Sequence, residues 1–168
     1  MRRKNKLEKV FIWPDTHCPW HDERAVKCAL KALKAFKPDH LVILGDFMDV
    51  YSLSRHDKSP SRPMRFAKEL TVTKKLLERI NNAAGRAKRY YIMGNHERRI
   101  EKYLISKAPE IYDLINLPSL LNLKRLGFKD IDYLDHLRLG NLILAHDIGH
   151  AGKSAHSQSL NMAGMSIA

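Results

Sequence analysis

The sequence predicts an α/β domain organised around a parallel sheet, and two observations lead to that class. Residues 41–44 form a run of four large aliphatic side chains, which is typical of a strand buried on both faces. A helical pattern over Glu23–Phe36 precedes that strand, and a short apolar run, Val10–Trp13, precedes the helix, so the order is that of a β-α-β unit. Polar residues that follow each strand are the first candidates for function, because ligand sites of such sheets lie at the carboxyl ends of the strands.

The middle of the chain continues the alternation of helices and strands. Apolar residues at helical spacing predict helices over residues 65–83 and Arg98–Lys107, and the apolar run 90–93 between them predicts a third strand. Residues 51–63 are polar, contain prolines and have no periodicity, so we expect them to form a loop that borders a pocket.

The last part of the chain is predicted to combine short helices with a hairpin. Residues 109–126 are leucine-rich at helix-like spacing and are interrupted by Pro118, which indicates two short helices. A strand is predicted over 131–134. Gly140 and Asn141 separate two further apolar-rich runs, and a two-residue turn of this kind is a hairpin signal. The two arms are residues 136–139 and 142–145.

Length and composition exclude several classes of protein. A chain of 168 residues can bury about 70% of its unfolded surface, so we expect one domain over residues 1–168, with a basic N-terminal extension over residues 1–9. The sequence has no apolar run near the length of about 18 residues that spans a membrane. Its two cysteines, Cys18 and Cys28, do not have the spacing of a zinc finger. We therefore expect a cytoplasmic protein without a membrane partner.

The charge of the chain is its most unusual bulk property. Thirty Lys and Arg residues face eighteen Asp and Glu residues, which gives a formal net charge of +12. A field of that sign attracts polyanions whatever the fold, so nucleic acid is a predicted partner. The basic residues are spread along the chain and are not interleaved with aromatic residues, so an ordinary lysine-rich surface is the alternative explanation.

Four of the predicted strands are followed by residues that can bind a metal ion. Carboxylate, imidazole and amide oxygen groups together suit divalent cations such as Mn²⁺, Fe²⁺ or Zn²⁺. A carboxylate shared by two ions sets them about 3.5–4 Å apart, the spacing used to hold a phosphoryl group, and Asp46 is the natural bridge. The alternative is that Asp46 merely caps a turn. The candidate residues are Asp15, His17, Asp46, Asp49, Asn95, His96 and His146.

The order of these residues resembles a known family. Asp15-x-His17, Gly45-Asp46-x-x-Asp49, the segment Gly94-Asn95-His96-Glu97 and a lone His146 are similar to the ordered motifs of the calcineurin-like metallophosphoesterase superfamily. The resemblance covers residues 10–168. It implies a four-layer α/β/β/α fold, in which two mixed β-sheets are sandwiched between helices.

The resemblance also implies a reaction and a role for each residue. Asp15 and His17 would bind the first metal, Asp46 would bridge, and Asn95 and His146 would bind the second. His96 would be the catalytic histidine, oriented by Asp49. Two divalent ions (Mn, Fe or Zn) would activate a water that hydrolyses a phosphomonoester or phosphodiester, with nucleic acid or a nucleotide as one substrate class. Arg98 and Arg99 follow the third motif and are candidates for substrate binding, with solvated loop charges as the alternative.

The sequence departs from the family pattern in two informative places. Val50 stands where the protein phosphatase branch has an arginine, so specificity for phosphoproteins is not carried over. Family members finish the site with a Gly-His-x-His segment that follows a helix and a short strand. Residues 152–161 are predicted to form that helix and residues 165–168 to start that strand, where the sequence stops.

We therefore expect a chain that is cut just short of its last metal ligands. Such a chain would lack the C-terminal strands of its second sheet, bind metal weakly, have weak or no activity, and associate with itself through the unpaired sheet edge. The alternative to an enzyme is a catalytically impaired scaffold that keeps the fold and binds polyanions.

Overall fold

The computed structural model describes residues 7–55 and 65–147. Its strands are β1 (Val10–Trp13), β2 (His40–Leu44), β3 (Lys88–Ile92), β4 (Phe128–Ile131), β5 (Leu137–Leu139) and β6 (Leu142–Leu144). Its α-helices are α1 (Glu23–Phe36), α2 (Phe66–Ala84), α3 (Arg98–Lys107) and α4 (Leu117–Leu120), and two 3-10 helices lie at Tyr51–Leu53 and Pro109–Leu114.

The first four strands form one parallel sheet in the order β1-β2-β3-β4. The central strand β2 pairs with β1 on one side and with β3 on the other, as Ile12 opposite Val42 and Val42 opposite Tyr90 illustrate. All four carboxyl ends therefore lie at one edge, and the polar residues that follow them are brought together there.

The two faces of this sheet bury different elements. Alternate residues such as Leu41, Ile43 and Tyr91 belong to a large core with residues of α1, α2 and α3. Val42 and Ile92 point to the opposite face, where they form a second cluster with residues of the hairpin β5-β6. The described part of the chain thus has three layers: helices, a parallel sheet, and an antiparallel hairpin. The predicted α/β class with two sheets and helices is confirmed.

Helix α1 shows how local sequence sets an element's ends. The side chain of Asp22 accepts a hydrogen bond of 2.7 Å from the backbone N–H of Arg24, which caps the first turn. At the other end Lys37 adopts a left-handed conformation with φ of 48°, and its N–H returns to the carbonyl of Leu33. Pro38 follows and prevents the helix from continuing. The predicted range is confirmed.

One strand prediction was wrong. Residues 131–134 were expected to form the fourth strand, but β4 covers Phe128–Ile131. The reason is that β4 lies at the edge of the sheet, so its middle residues are exposed and do not form an apolar run. Gly127, with φ of 75°, turns the chain into this strand, and that glycine was the available signal.

The hairpin prediction is confirmed, with β5 and β6 joined through Gly140 and Asn141. Within the predicted loop 51–63, Tyr51–Leu53 is a 3-10 helix. The predicted helix 152–161, the strand from residue 165 and the expected cut before the last motif lie outside the described residues. Among the helices that the structure describes, none is long and apolar enough to cross a membrane.

Candidate metal centre

The loops that follow β1 and β2 are joined to each other by backbone hydrogen bonds. The N–H groups of Thr16 and His17 donate to the carbonyl of Asp46 at 3.1 and 2.9 Å, and the N–H of Cys18 donates to the carbonyl of Phe47 at 2.8 Å. His17 and Asp46 both adopt left-handed conformations, with φ of 50° and 44°. Such a conformation costs a non-glycine residue about 1 kcal/mol or more, so it persists only where surrounding contacts hold it. These loops fix His17 beside Asp46.

Two glycines of the predicted motifs let the strand ends approach each other. A Cβ atom at Gly45 would overlap the imidazole of His146, and a Cβ atom at Gly94 would overlap the backbone and carboxylate of Asp46. Gly45 also has φ of 82°, which favours glycine. The glycines are therefore required by the close packing of candidate ligands.

Asp46 lies at the centre of the site and is 5% exposed. Its Oδ1 accepts a hydrogen bond of 2.9 Å from the N–H of His96 and lies 3.4 Å from His146 Nε2. Its Oδ2 lies 3.7 Å from His96 Nε2. Burial acts to raise the pKa of Asp46, but the hydrogen bonds from His146 and His96 bring this pKa below its ordinary value. Asp46 is therefore an anion at neutral pH.

On the Oδ1 side of Asp46, three lone-pair donors point at one another. The Nδ1–H of His146 donates to the carbonyl of Leu44 at 2.7 Å, so its Nε2 is directed into the site. That Nε2 lies 3.2 Å from Asn95 Oδ1 and 3.4 Å from Asp46 Oδ1. The hydrogen bond with Asp46 raises the pKa of His146 to about 9. Without a positive charge between them, the lone pairs of His146 Nε2, Asn95 Oδ1 and Asp46 Oδ1 would repel one another. A proton on His146 or a cation among these atoms removes that repulsion, so the donor set fits a divalent cation.

Asp15 lies at the rim of the same side. Its Oδ1 is 3.9 Å from His146 Nδ1, and 53% of its side chain is exposed. The structure therefore brings together the predicted ligands Asp15, Asp46, Asn95 and His146.

On the Oδ2 side of Asp46, a charge network surrounds His96. Nδ1 of His96 lies 3.0 Å from the carbonyl of Asp49 and 3.2 Å from its Oδ1, so Nδ1 is the donor. Arg99 Nη1 donates to the same two oxygens of Asp49 at 2.8 and 3.0 Å, and its Nη2 lies 3.1 Å from His96 Nε2. Burial lowers the pKa of His96, but Asp49 and Asp46 outweigh it and the pKa is raised.

His17 completes this side. Its ring centroid is 4.6 Å from that of His96, in an edge-on arrangement, and its Nδ1 is 3.9 Å from Asp49 Oδ2. His17, Asp46 and His96 each offer a ligand atom, and these three atoms lie within 4.8 Å of one another. The predicted catalytic histidine thus belongs to a group of side chains that could hold a metal ion, and it also contacts Asp49.

The two arginines lie in different places. Arg99 belongs to the network of Asp49 and His96, whereas Arg98 points away from it. Arg98 Nε donates to Glu101 at 3.3 Å, and its guanidinium lies 5.0 Å from the ring centroid of Tyr133. Arg98 and Tyr133 line a cavity of about 610 Å³. Tyr133 connects this cavity to the candidate ligands, since its ring centroid lies 6.5 Å from that of His146. Asp46, Asn95 and His146 themselves do not line the cavity.

Sequence reasoning missed two residues of this region. Tyr133 was assigned to a strand, and nothing in its sequence context indicated a wall of the site. Glu97 is 3% exposed and lies beneath the Asp46 loop, where its carboxylate accepts backbone hydrogen bonds. Its only sequence signal was its place at the end of the segment Gly94-Asn95-His96-Glu97.

Comparison with known proteins agrees with the arrangement of these motifs. The calcineurin-like phosphoesterase family matches residues 9–164, which include every predicted site residue. No curated protein and no solved structure matches the chain. The matched family hydrolyses phosphoesters and generally binds divalent metals, and the resemblance inferred from the motifs is confirmed. A match over this share of the sequence shows that the chain belongs to the calcineurin-like phosphoesterase family.

Proposed function

We propose that this chain hydrolyses a phosphomonoester or phosphodiester with the help of two divalent cations held on the two sides of Asp46. One observation carries the proposal: the two carboxylate oxygens of Asp46 face two different groups of candidate ligands. Oδ1 faces His146 and Oδ2 faces His96, at 3.4 and 3.7 Å. A carboxylate placed in this way is suited to bridging two ions.

The ligands divide between the two sides. Asn95 and His146 would hold one cation with Asp46 Oδ1, and His17 would hold the other with Asp46. The exposed carboxylate of Asp15 lies 3.9 Å from His146, and we propose that it turns to the cation held by His17. When bound, Mn²⁺, Fe²⁺ or Zn²⁺ would supply Lewis-acid stabilisation of the phosphoryl group and a water nucleophile at neutral pH.

His96 is proposed to supply the proton for the leaving oxygen. Its Nδ1–H is fixed by Asp49, so its Nε2 is the atom that faces the centre of the site. Nearby carboxylates raise the pKa of His96, which favours the protonated form that a general acid needs. Arg99 holds Asp49 and reaches Nε2, so we propose that its Nη2–H turns to a phosphoryl oxygen when substrate binds.

The cavity beside Arg98 is proposed to hold the organic part of the ester. Its volume of about 610 Å³ lies within the range of about 300–1,000 Å³ that is usual for small-molecule sites. Arg98 at its edge adds a positive charge near the phosphoryl position. The net charge of +12 supports testing nucleic acid and nucleotide diesters as substrates.

A non-catalytic scaffold that binds polyanions is the second candidate, and the same net charge favours it. Metal analysis separates the two candidates. The enzyme should hold two equivalents of Mn, Fe or Zn per chain when it is refolded with that metal, and should hydrolyse bis-p-nitrophenyl phosphate. The scaffold should retain none and should bind single-stranded DNA at low salt. Size-exclusion chromatography of the same sample tests the proposed self-association.

Asp46→Asn is the variant that tests the proposal most directly. It should abolish hydrolysis and metal retention, because both ligand sets share this carboxylate. Asp130→Asn, at an exposed position of β4, is the matched control and should retain both. Undiminished hydrolysis by Asp46→Asn would refute the proposed site.

A further inference from the structure

We infer that Glu97 is a positioning residue that holds Asp46 in its metal-binding conformation without itself touching the metals. The part of this inference that concerns metal affinity rests on the proposed function. The part that concerns the conformation of Asp46 stands on the structure alone.

The carboxylate of Glu97 accepts five hydrogen bonds. Oε2 accepts from the N–H groups of Asp46 and Gly94, each at 3.0 Å. Oε1 accepts from two further backbone N–H groups and one hydroxyl, namely Phe47 at 2.9 Å, Met48 at 3.0 Å and Tyr91 at 2.9 Å. The side chain is 3% exposed, so these donors replace water around a buried carboxylate.

Three of the donors are consecutive in sequence. The N–H groups of Asp46, Phe47 and Met48 all point to one carboxylate, which forms an anion-binding concavity of the backbone. The chain can adopt this shape because Gly45 and Asp46 have left-handed φ values of 82° and 44°. Since Asp46 is not a glycine, its conformation is strained, and the hydrogen bonds to Glu97 offset that strain.

Together with a hydrogen bond to His96, the same contacts form a closed ring of hydrogen bonds between the Asp46 loop and the segment 94–97. Glu97 Oε2 holds the N–H of Asp46, while Oδ1 of Asp46 holds the N–H of His96. Gly94 lies within the ring, and a Cβ atom there would overlap Asp46 Oδ1 and approach Glu97 Oε2 to 2.8 Å. Asp46 is thus fixed at both its backbone and its carboxylate, so the direction of both oxygens depends on Glu97.

Glu69 provides a matched control. It is also buried, with 0% exposure, and its Oε1 accepts a hydrogen bond of 2.8 Å from the N–H of Ser52. Its Oε2 has no hydrogen-bond partner among the residues that the structure describes. A glutamine at position 69 can keep the hydrogen bond from Ser52, because one oxygen suffices. At Glu97 both oxygens are used, so a glutamine must present its NH₂ group to N–H donors.

The orientation of that glutamine can be predicted. With its oxygen at the Oε1 position, Glu97→Gln keeps three donors; in the flipped orientation it keeps two. The first orientation is favoured, and it leaves the N–H groups of Asp46 and Gly94 without an acceptor. The substitution should therefore release Asp46 in particular, while Phe47 and Met48 stay bound.

Amide hydrogen exchange of the metal-free chain tests this step. In the parent chain, the amides of Asp46, Phe47 and Met48 should be protected. In Glu97→Gln, the amides of Asp46 and Gly94 should exchange faster by at least about tenfold, as expected for the loss of a buried hydrogen bond. Glu69→Gln should leave all four unchanged. An unprotected Asp46 amide in the parent chain, or unchanged exchange in Glu97→Gln, would overturn the inference.

Titration with Mn²⁺ alone tests the consequence for metal affinity. Loss of a group that orients a metal ligand typically costs about 10–100-fold in affinity, and we expect that loss for Glu97→Gln but not for Glu69→Gln. Parent affinity in Glu97→Gln would contradict the positioning role. A parent chain that binds no Mn²⁺ would instead contradict the proposed function, and the exchange experiment would still decide the role of Glu97.

Denaturant unfolding of each variant separates positioning from general loss of stability. If Glu97→Gln does not fold, Glu97→Asp takes its place in both experiments, since its carboxylate is one methylene too short to reach all five donors. Parent-like exchange at Asp46 together with parent-like Mn²⁺ affinity in Glu97→Asp would also overturn the inference.

Discussion

The two sides of Asp46 carry the same kinds of side chain but are arranged differently. On the Oδ1 side, His146 is fixed by a backbone carbonyl, and its Nε2 faces the oxygens of Asn95 and Asp46. On the Oδ2 side, His96 is fixed by Asp49, and Arg99 supplies a permanent positive charge. Among the described residues, the second side thus contains a permanent cation, Arg99, whereas the positive charge of the first side depends on the protonation of His146.

This difference indicates two kinds of chemistry in one site. Both histidines have raised pKa values, but the causes differ. The hydrogen bond with Asp46 raises the pKa of His146 to about 9, so its proton occupies the place that suits a metal. Burial opposes protonation of His96, and its raised pKa depends on Asp49 and Asp46. Under the proposed function each side holds a cation, and the Oδ2 side also carries the histidine that would hold a proton for transfer.

The largest effect is expected from a variant that disrupts the Oδ2 side alone. His96→Ala should lower kcat by about 10²–10⁴-fold, the usual contribution of a general acid. Metal retention on the Oδ1 side should stay near the parent value, because His146, Asn95 and Asp46 are intact. Steady-state kinetics and metal analysis of the same preparation measure both. Loss of all bound metal in His96→Ala would mean that His96 is a ligand of both ions and that the two sides are not separate.

The next prediction concerns the pH dependence of metal affinity on the Oδ1 side. A cation on the Oδ1 side must displace the proton of His146, so its apparent affinity should rise by about tenfold per pH unit up to a pH of about 9. Calorimetric titration with Mn²⁺ in two buffers of different ionisation enthalpy should show about one proton released near pH 7. His146→Ala should remove this proton release. A pH-independent affinity between 7 and 9 would contradict the assignment.

A smaller effect is expected from the glycine that lets His146 approach. Gly45→Ala places a Cβ atom against the ring of His146 at a left-handed backbone position. We expect the free energy of unfolding to fall by about 1–3 kcal/mol. Gly140→Ala is the control, since it has φ of 61° but open space around its Cβ position. Equal losses in the two variants would show that the contact with His146 contributes nothing beyond backbone strain.

The last prediction concerns the stability of the metal-free chain. The pKa of His146 rises from its ordinary value of 6.5 to about 9 on folding, so its contribution to stability is complete below pH 6.5 and is lost as pH rises to 9. Thermal unfolding in chelator should therefore show a lower Tm at pH 9 than at pH 6.5. Added Mn²⁺ should reverse that trend, because metal affinity rises over the same interval. A chelated chain that becomes more stable over that interval would contradict the raised pKa.

The local pattern of the chain predicted much of its fold. Helix α1 could be predicted to the residue because its apolar stripe ends just before a proline, and the structure adds that Asp22 caps its first turn. Strand β4 could not, because an edge strand needs no apolar run. The signal that ends a central strand is equally local, since Asp46 directly follows a buried apolar run and a glycine. Asp46 could be interpreted as the centre of a site, and not as a turn residue, only together with the polar residues that follow the other three strands.

Sequence by itself determined which candidate ligand residues are present and which strand each of them follows. Tertiary structure decided which oxygen of Asp46 each histidine faces, that Arg99 binds Asp49, and that Glu97 lies beneath the loop. The physical reason is distance along the chain. Glu97 and Asp46 are 51 residues apart, and their hydrogen bond depends on the pairing of β2 with β3 rather than on any local pattern. The order and spacing of the motifs along the chain predict which residues belong to this site. Their hydrogen-bond partners are set by the register of the sheet.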